Sequence, residues 1–129
     1  KLLRYTDARS ENGGESFARA VMIENGFSVP QLQVPFTDPL TGKQFRVDFL
    51  WRTADGRIIV GELDGTAKYV DPQMTDRKSI QETVQAERER EQALFRAGVT
   101  EIVRFTFDDA VRQKPLIAKL RRAGVPCVS

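Results

Sequence analysis

The runs Phe45-Arg46-Val47-Asp48-Phe49-Leu50-Trp51 and Ile58-Ile59-Val60-Gly61-Glu62-Leu63-Asp64, joined by Arg52-Thr53-Ala54-Asp55-Gly56-Arg57, decide how this chain is read. Both runs are strand-like and apolar, and carboxylates interrupt both. A carboxylate inside a sheet costs free energy unless something compensates it. Asp48, Glu62 and Asp64 therefore point to a cation site or to a salt-bridge network.

The turn between the runs sets which carboxylates meet. In the first run Phe45, Val47, Phe49 and Trp51 alternate onto one face, and Arg46, Asp48, Leu50 and Arg52 take the other. A two-residue Asp55-Gly56 loop pairs Asp48 with Leu63 and sends Glu62 to the opposite side of the sheet. A three-residue Ala54-Asp55-Gly56 loop, with Gly56 left-handed, shifts the register by one and pairs Asp48 with Glu62. It also gathers Phe45, Val47, Phe49, Trp51, Ile59 and Leu63 onto one apolar face. Turn chemistry and burial then agree, so the three-residue loop is expected, with Asp48, Glu62 and Asp64 converging.

Working outward, residues 1–9 read as a linker or frayed end and residues 10–129 as a single domain. A helix opens at Asn12, with Phe17 and Val21 on one face and Gly26 as its stop; Glu15, three residues after Asn12, has the spacing of a capping box. A short strand over 31–36 carries Pro35, which suits an edge. After the turn-rich segment 37–42, strands are expected over 43–52 and 57–64, then a polar loop over 69–78. Ser79 and Glu82 form a second capping-box pattern for a helix reaching about Phe95 and stopped by Gly98. In its stripe Ile80, Val84, Glu87, Glu91 and Leu94, the two glutamates read as edge residues or as partners of Arg88 and Arg90. A strand over 101–106 and a helical region over 108–123, divided near Pro115 and ended by Gly124, complete the chain. The order predicts an α/β fold: a four-stranded mixed sheet with helices covering it, the fourth strand reached by a helical crossover.

Composition narrows the chemistry. The 129 residues suffice for a real core, and the net charge of +2 permits a nucleic-acid partner without demanding one. No stretch approaches the ~20 apolar residues of a membrane span, so a cytoplasmic protein is expected. Histidine is absent and Cys127 is the single cysteine. That excludes histidine general bases, His-based triads and the usual His and Cys zinc sites. Hydrolysis must then rest on carboxylates, lysine or a metal. Asp and Glu oxygens are hard ligands that suit Mg²⁺ or Mn²⁺, and a metal so held activates water and neutralises charge developing on a phosphate. The competing structural reading has Arg46 bridging Asp64, and Asp48 meeting Arg52 or Lys43, as ordinary cross-strand ion pairs.

Asp48, the thirteen-residue gap, Glu62-Leu63-Asp64-Gly65 and Lys68, then Glu87-x-x-Arg90-x-x-x-Leu94 and Arg104-Phe105-Thr106, resemble the PD-(D/E)xK restriction-endonuclease-like superfamily, in particular its very-short-patch-repair-like branch. The resemblance spans residues 15–107. It implies a restriction-endonuclease-like αβββαβ core and a Mg²⁺- or Mn²⁺-dependent nuclease acting on DNA. Asp48 and Glu62 are then the metal ligands, Glu15 and Asp64 complete the acidic site and Lys68 faces the phosphate. Gln33, Arg46 and Arg90 are the nucleic-acid-binding or supporting residues. Similar sequences often form the C-terminal part of longer proteins, including antitoxin-like proteins with an N-terminal winged helix. The chain starts at Lys1 rather than Met, so a preceding domain is expected. Two positions depart from the pattern. Asp64 stands where the superfamily carries its signature lysine, and Lys68 stands where the branch commonly has histidine, either as a cation for the phosphate or as a solvent-exposed loop residue. The alternative expectation is a catalytically silent nuclease-fold module that binds DNA or regulates.

Overall fold

A computed structural model of the chain describes residues 11–64 and 77–128. Its elements run α1 (Glu11–Glu24), β1 (Gln31–Thr37), β2 (Gln44–Arg52), β3 (Ile58–Leu63), α2 (Arg77–Arg96), β4 (Glu101–Phe105), α3 (Phe107–Arg112) and α4 (Lys114–Ala123). The strands form one mixed sheet in the order β1-β2-β3-β4. The first three are antiparallel neighbours, and β4 lies parallel to β3 after the α2 crossover. This is the expected α/β architecture, and Pro35 lies on the edge strand β1, the position that best tolerates a residue without an N–H.

The β2–β3 hairpin has the three-residue loop. Phe49 pairs with Gly61 and Trp51 with Ile59. Thr53 N–H donates to the Arg57 carbonyl at 3.0 Å, and Gly56 closes the loop at φ 89°. Only glycine adopts that conformation without a steric penalty. Asp48 and Glu62 are consequently the next residues in register beyond the Phe49–Gly61 pair.

Two apolar layers cover the sheet. One face packs Phe49, Trp51, Ile59 and Phe105 against Ala18, Val21 and Met22 of α1 and Leu116 and Leu120 of α4. Here the Phe49 and Trp51 rings stack with centroids 6.3 Å apart, and Gly61 leaves them room, since a Cβ would lie 3.1 Å from the Trp51 ring. Burying each large side chain fully contributes roughly 1.5–3 kcal/mol. The other face packs Val47, Leu50 and Val60 with Leu94 of α2 and Val99.

That division corrects one expectation. Phe45 and Val47 pack with Leu50 on the α2 face rather than with Phe49 and Trp51. The alternation of β2 changes sides across Asp48. Opposite it in β1, Gln33 takes a positive φ of 51°, and the β1–β2 pairing passes from Leu32–Phe49 to Val34–Val47 without it. The kink turns both strands locally, so a strict period of two does not hold through this point.

Element ends also differ from expectation. Asn12 lies inside α1 and Ser79 inside α2, so neither is an N-cap. Among the described residues a capping box forms between Thr106 and Asp109, at the start of α3. The Thr106 N–H donates to Asp109 Oδ2 and the Asp109 N–H to Thr106 Oγ1, each at 3.0 Å. Gln113, at φ 70°, separates α3 from α4, with Pro115 in the first turn of α4. The chain then returns to the α1–β1 connection, where Cys127 bridges Phe27.

Candidate functional site

Of the predicted site residues, Glu15, Gln33, Arg46, Asp48, Glu62 and Arg90 fall into two hydrogen-bonded groups that meet at the β2–β3 register. The first joins α1, β1 and β2. Gln33 Nε2 donates to Glu15 Oε1 at 2.7 Å and to Asp48 Oδ1 at 3.3 Å. The positive φ of Gln33 accompanies this reach. Asp48 Oδ2 accepts the Leu63 N–H at 2.9 Å, which ties the carboxylate to the end of β3. Glu15 thus acts in the acidic group rather than as the cap its spacing suggested.

The second group lies on the α2 face. Glu62 alternates with Val60 and is 7% exposed, a position that demands a counter-charge. Arg90 of α2 supplies it. Its Nη1 and Nη2 donate to Glu62 Oε1 and Oε2 in a fork, and Nη2 also donates to the Arg46 carbonyl at 2.7 Å. Arg46 therefore enters the group through its backbone, not as the side-chain bridge to Asp64. Burial opposes the Arg90 charge. The Glu62 hydrogen bonds, with the charges of Glu62, Glu87 and Asp48, outweigh it and raise the Arg90 pKa.

Arg104 of β4 is the residue that sequence reasoning left without a role. It lies beside Glu62 in the parallel ladder, with Nη1 3.7 Å from Glu62 Oε1. Its Nη2 pairs with Glu87 Oε1 at 3.1 Å and with Glu91 Oε2 at 2.8 Å. The two glutamates of the α2 stripe thus answer Arg104 on the sheet face beneath them, not Arg88 and Arg90 within their own helix. Burial again opposes the cation, and the Glu91 bonds with the charges of Glu62, Glu87 and Glu91 raise its pKa. A signal existed: Arg104 shares strand parity with the apolar Ile102, which packs on the α2 face.

Asp64 follows β3 and anchors its backbone, its N–H donating to the Phe105 carbonyl at 2.6 Å. Lys68 and the loop expected over 69–78 fall outside the described residues, except that residues 77 and 78 belong to α2. Among the described residues, no three acidic side chains are gathered as a metal-holding group. The expected convergence of Asp48, Glu62 and Asp64 is not present in this arrangement, because Asp48 turns to Gln33 while Glu62 turns to Arg90. The donor chemistry of Asp48 and Glu62 still fits a hard divalent cation, and the two remain adjacent in register. Both Glu62 oxygens, however, are held by a guanidinium.

Two relatives from Mycobacterium tuberculosis share sequence with this chain. They are the uncharacterized protein MT2308 of strain CDC 1551 / Oshkosh and the uncharacterized protein Rv2248 of strain ATCC 25618 / H37Rv, each 45% identical over 51 residues. The match covers 40% of this chain and 18% of each relative, so the chain spans less than a fifth of the relatives it matches. No family model matches the chain, and no solved structure matches it at a significant level. Among the described residues, no helix is long and apolar enough to cross a membrane.

Proposed function

We propose that this chain is a metal-dependent nuclease domain that hydrolyses phosphodiester bonds in DNA, acting in the cytoplasm as one domain of a longer protein. The observation that carries the reading is the register itself. Asp48 and Glu62 stand next to each other at the end of the β2–β3 pair, with Glu15 drawn to Asp48 through Gln33. The element order and the parallel β4 agree with the core that the sequence resemblance implies.

In this reading Asp48 and Glu62 hold Mg²⁺ or Mn²⁺, which when bound supplies a polarised water and charge neutralisation at the phosphate. Gln33 orients Asp48 and Glu15 toward one another. Arg104, held by Glu87 and Glu91, offsets the charge of Glu62. With no histidine in the chain, proton transfer falls to a carboxylate, a lysine or the metal-bound water.

The test is nicking of supercoiled plasmid with Mg²⁺ or Mn²⁺ by the wild type, Asp48→Asn and Glu62→Gln. Loss of nicking in both variants is expected, and unchanged cleavage in both sinks the assignment. One observation favours a second reading, a catalytically silent DNA-binding or regulatory module: Arg90 neutralises Glu62 with a fork of two bonds. Salt-sensitive DNA binding without cleavage would select it.

A further inference from the structure

Glu62 is the most buried of the site carboxylates, and a cation already sits on it. An arginine fork takes a lone pair on each oxygen of a carboxylate and sets a positive charge against it, so a divalent metal arriving at that carboxylate meets fewer free lone pairs and a like charge. We propose that Arg90 is the resident counter-cation of Glu62 and competes with a divalent metal for that carboxylate, so that metal joins the Asp48–Glu62 pair only as the guanidinium leaves.

The proposal rests on the nuclease reading for the choice of metal, and on the ion pair for everything else. Three features make the exchange workable. Arg90 reaches Glu62 from a different element, α2, so it withdraws without disturbing the β2–β3 register. Glu87 lies three residues earlier in the same helix, at a spacing that lets it receive a displaced guanidinium. Arg104 stays 3.7 Å from Glu62 and is anchored separately by Glu87 and Glu91, so Glu62 keeps partial charge compensation during the exchange. The Arg46 carbonyl, which accepts from Arg90 Nη2 at 2.7 Å, adds a charge-assisted hydrogen bond that favours the closed pair. A partner or a nucleic-acid phosphate that attracts Arg90 would thereby favour metal entry.

The experiment is Mn²⁺ titration, by calorimetry and by loss of the free-ion paramagnetic resonance signal, at one ionic strength. It uses the full chain as wild type, Arg90→Gln, Arg90→Lys and the double variant Arg90→Gln/Glu62→Gln. Arg90→Gln is expected to bind Mn²⁺ at least tenfold more tightly than wild type, Arg90→Lys to lie between them, and the double variant to lose the gain. Without metal, Arg90→Gln is expected to melt below wild type, with Mn²⁺ restoring the midpoint. Should Arg90→Gln not fold, Arg90→Lys carries the test, since lysine keeps the charge and loses the fork. Equal or weaker Mn²⁺ affinity in the Arg90 variants, including no binding in any protein, overturns the proposal, as does a gain that survives Glu62→Gln. Tighter Mn²⁺ binding by Arg90→Gln, with no nicking by the wild type, would leave this proposal standing and remove the nuclease reading. Asp48-dependent nicking with unchanged affinity would do the reverse.

Discussion

Arg96, in the last turn of α2, donates from Nε and Nη2 to the two carboxylate oxygens of Asp38, at 3.0 and 2.6 Å. Asp38 is 2% exposed and also accepts the Leu40 N–H and the Thr41 hydroxyl, each at 2.9 Å. This pair fastens the β1–β2 turn to the helix that carries Arg90, and so sets the approach of α2 to the sheet.

The Arg96 hydrogen bonds hold the Asp38 carboxyl well below the usual carboxylate range, against the opposing effect of burial. A depressed folded-state pKa contributes stability that is complete above the unfolded pKa, about 3.9, and lost as pH falls through the folded one. Asp38→Asn is therefore expected to be less stable than wild type at pH 7, with the gap narrowing steadily below about pH 4. Urea unfolding at a series of pH values measures it, and a gap independent of pH down to pH 2 would contradict it.

Gly56 and Gly61 both lie in or beside the hairpin, but they are glycines for different reasons. At Gly56 a Cβ meets nothing within 4 Å, so Gly56→Ala strains only the backbone, at a cost of about 1–2 kcal/mol. At Gly61 the Cβ meets the Trp51 ring at 3.1 Å, and Gly61→Ala overpacks the aromatic layer by about 1–3 kcal/mol. Trp51 is the single tryptophan. Its fluorescence is expected to shift in Gly61→Ala and not in Gly56→Ala, while urea midpoints fall in both.

Gln33 keeps Glu15 and Asp48 together by donating to each. Gln33→Glu replaces the donor by a third carboxylate, and like charges at this separation raise at least one pKa of the group. A raised carboxylate pKa means stability that is present at low pH and lost as pH climbs through it. The variant is expected to melt closer to wild type at pH 4 than at pH 8, as thermal unfolding at the two values would reveal.

Arg104 answers three carboxylates from its place in β4. It is partly exposed, so its removal belongs between the surface and buried cases, at about 1–3 kcal/mol. Arg104→Met leaves Glu62, Glu87 and Glu91 with one guanidinium, and added salt screens their repulsion. Its destabilisation is expected to shrink between 0.05 and about 0.5 M NaCl, a range over which the Debye length falls severalfold. Chemical denaturation at both salt concentrations checks this.

Local chemistry made much of the fold legible. Pro35 marked the edge strand, Pro115 the division between α3 and α4, and Gly124 the end of α4, each through a constraint on its own backbone. The Ala54-Asp55-Gly56 loop fixed the hairpin register because a left-handed glycine is readable from three residues. The caps proposed at Asn12 and Ser79 failed because a short spacing pattern does not exclude a helix that begins earlier.

The sequence by itself determined that Asp48 and Glu62 are neighbours in register, since one turn and the residue count along two strands suffice for that. Only the tertiary structure decided where their charges go. The side change at Asp48 accompanies a left-handed Gln33 on another strand, a conformation with no glycine to announce it. The counter-charge of Glu62 comes from Arg90, 28 residues away, and from Arg104 on the strand beyond. Periodicity reports which residues are buried along one element; which cation satisfies a buried carboxylate depends on the packing of elements distant in sequence.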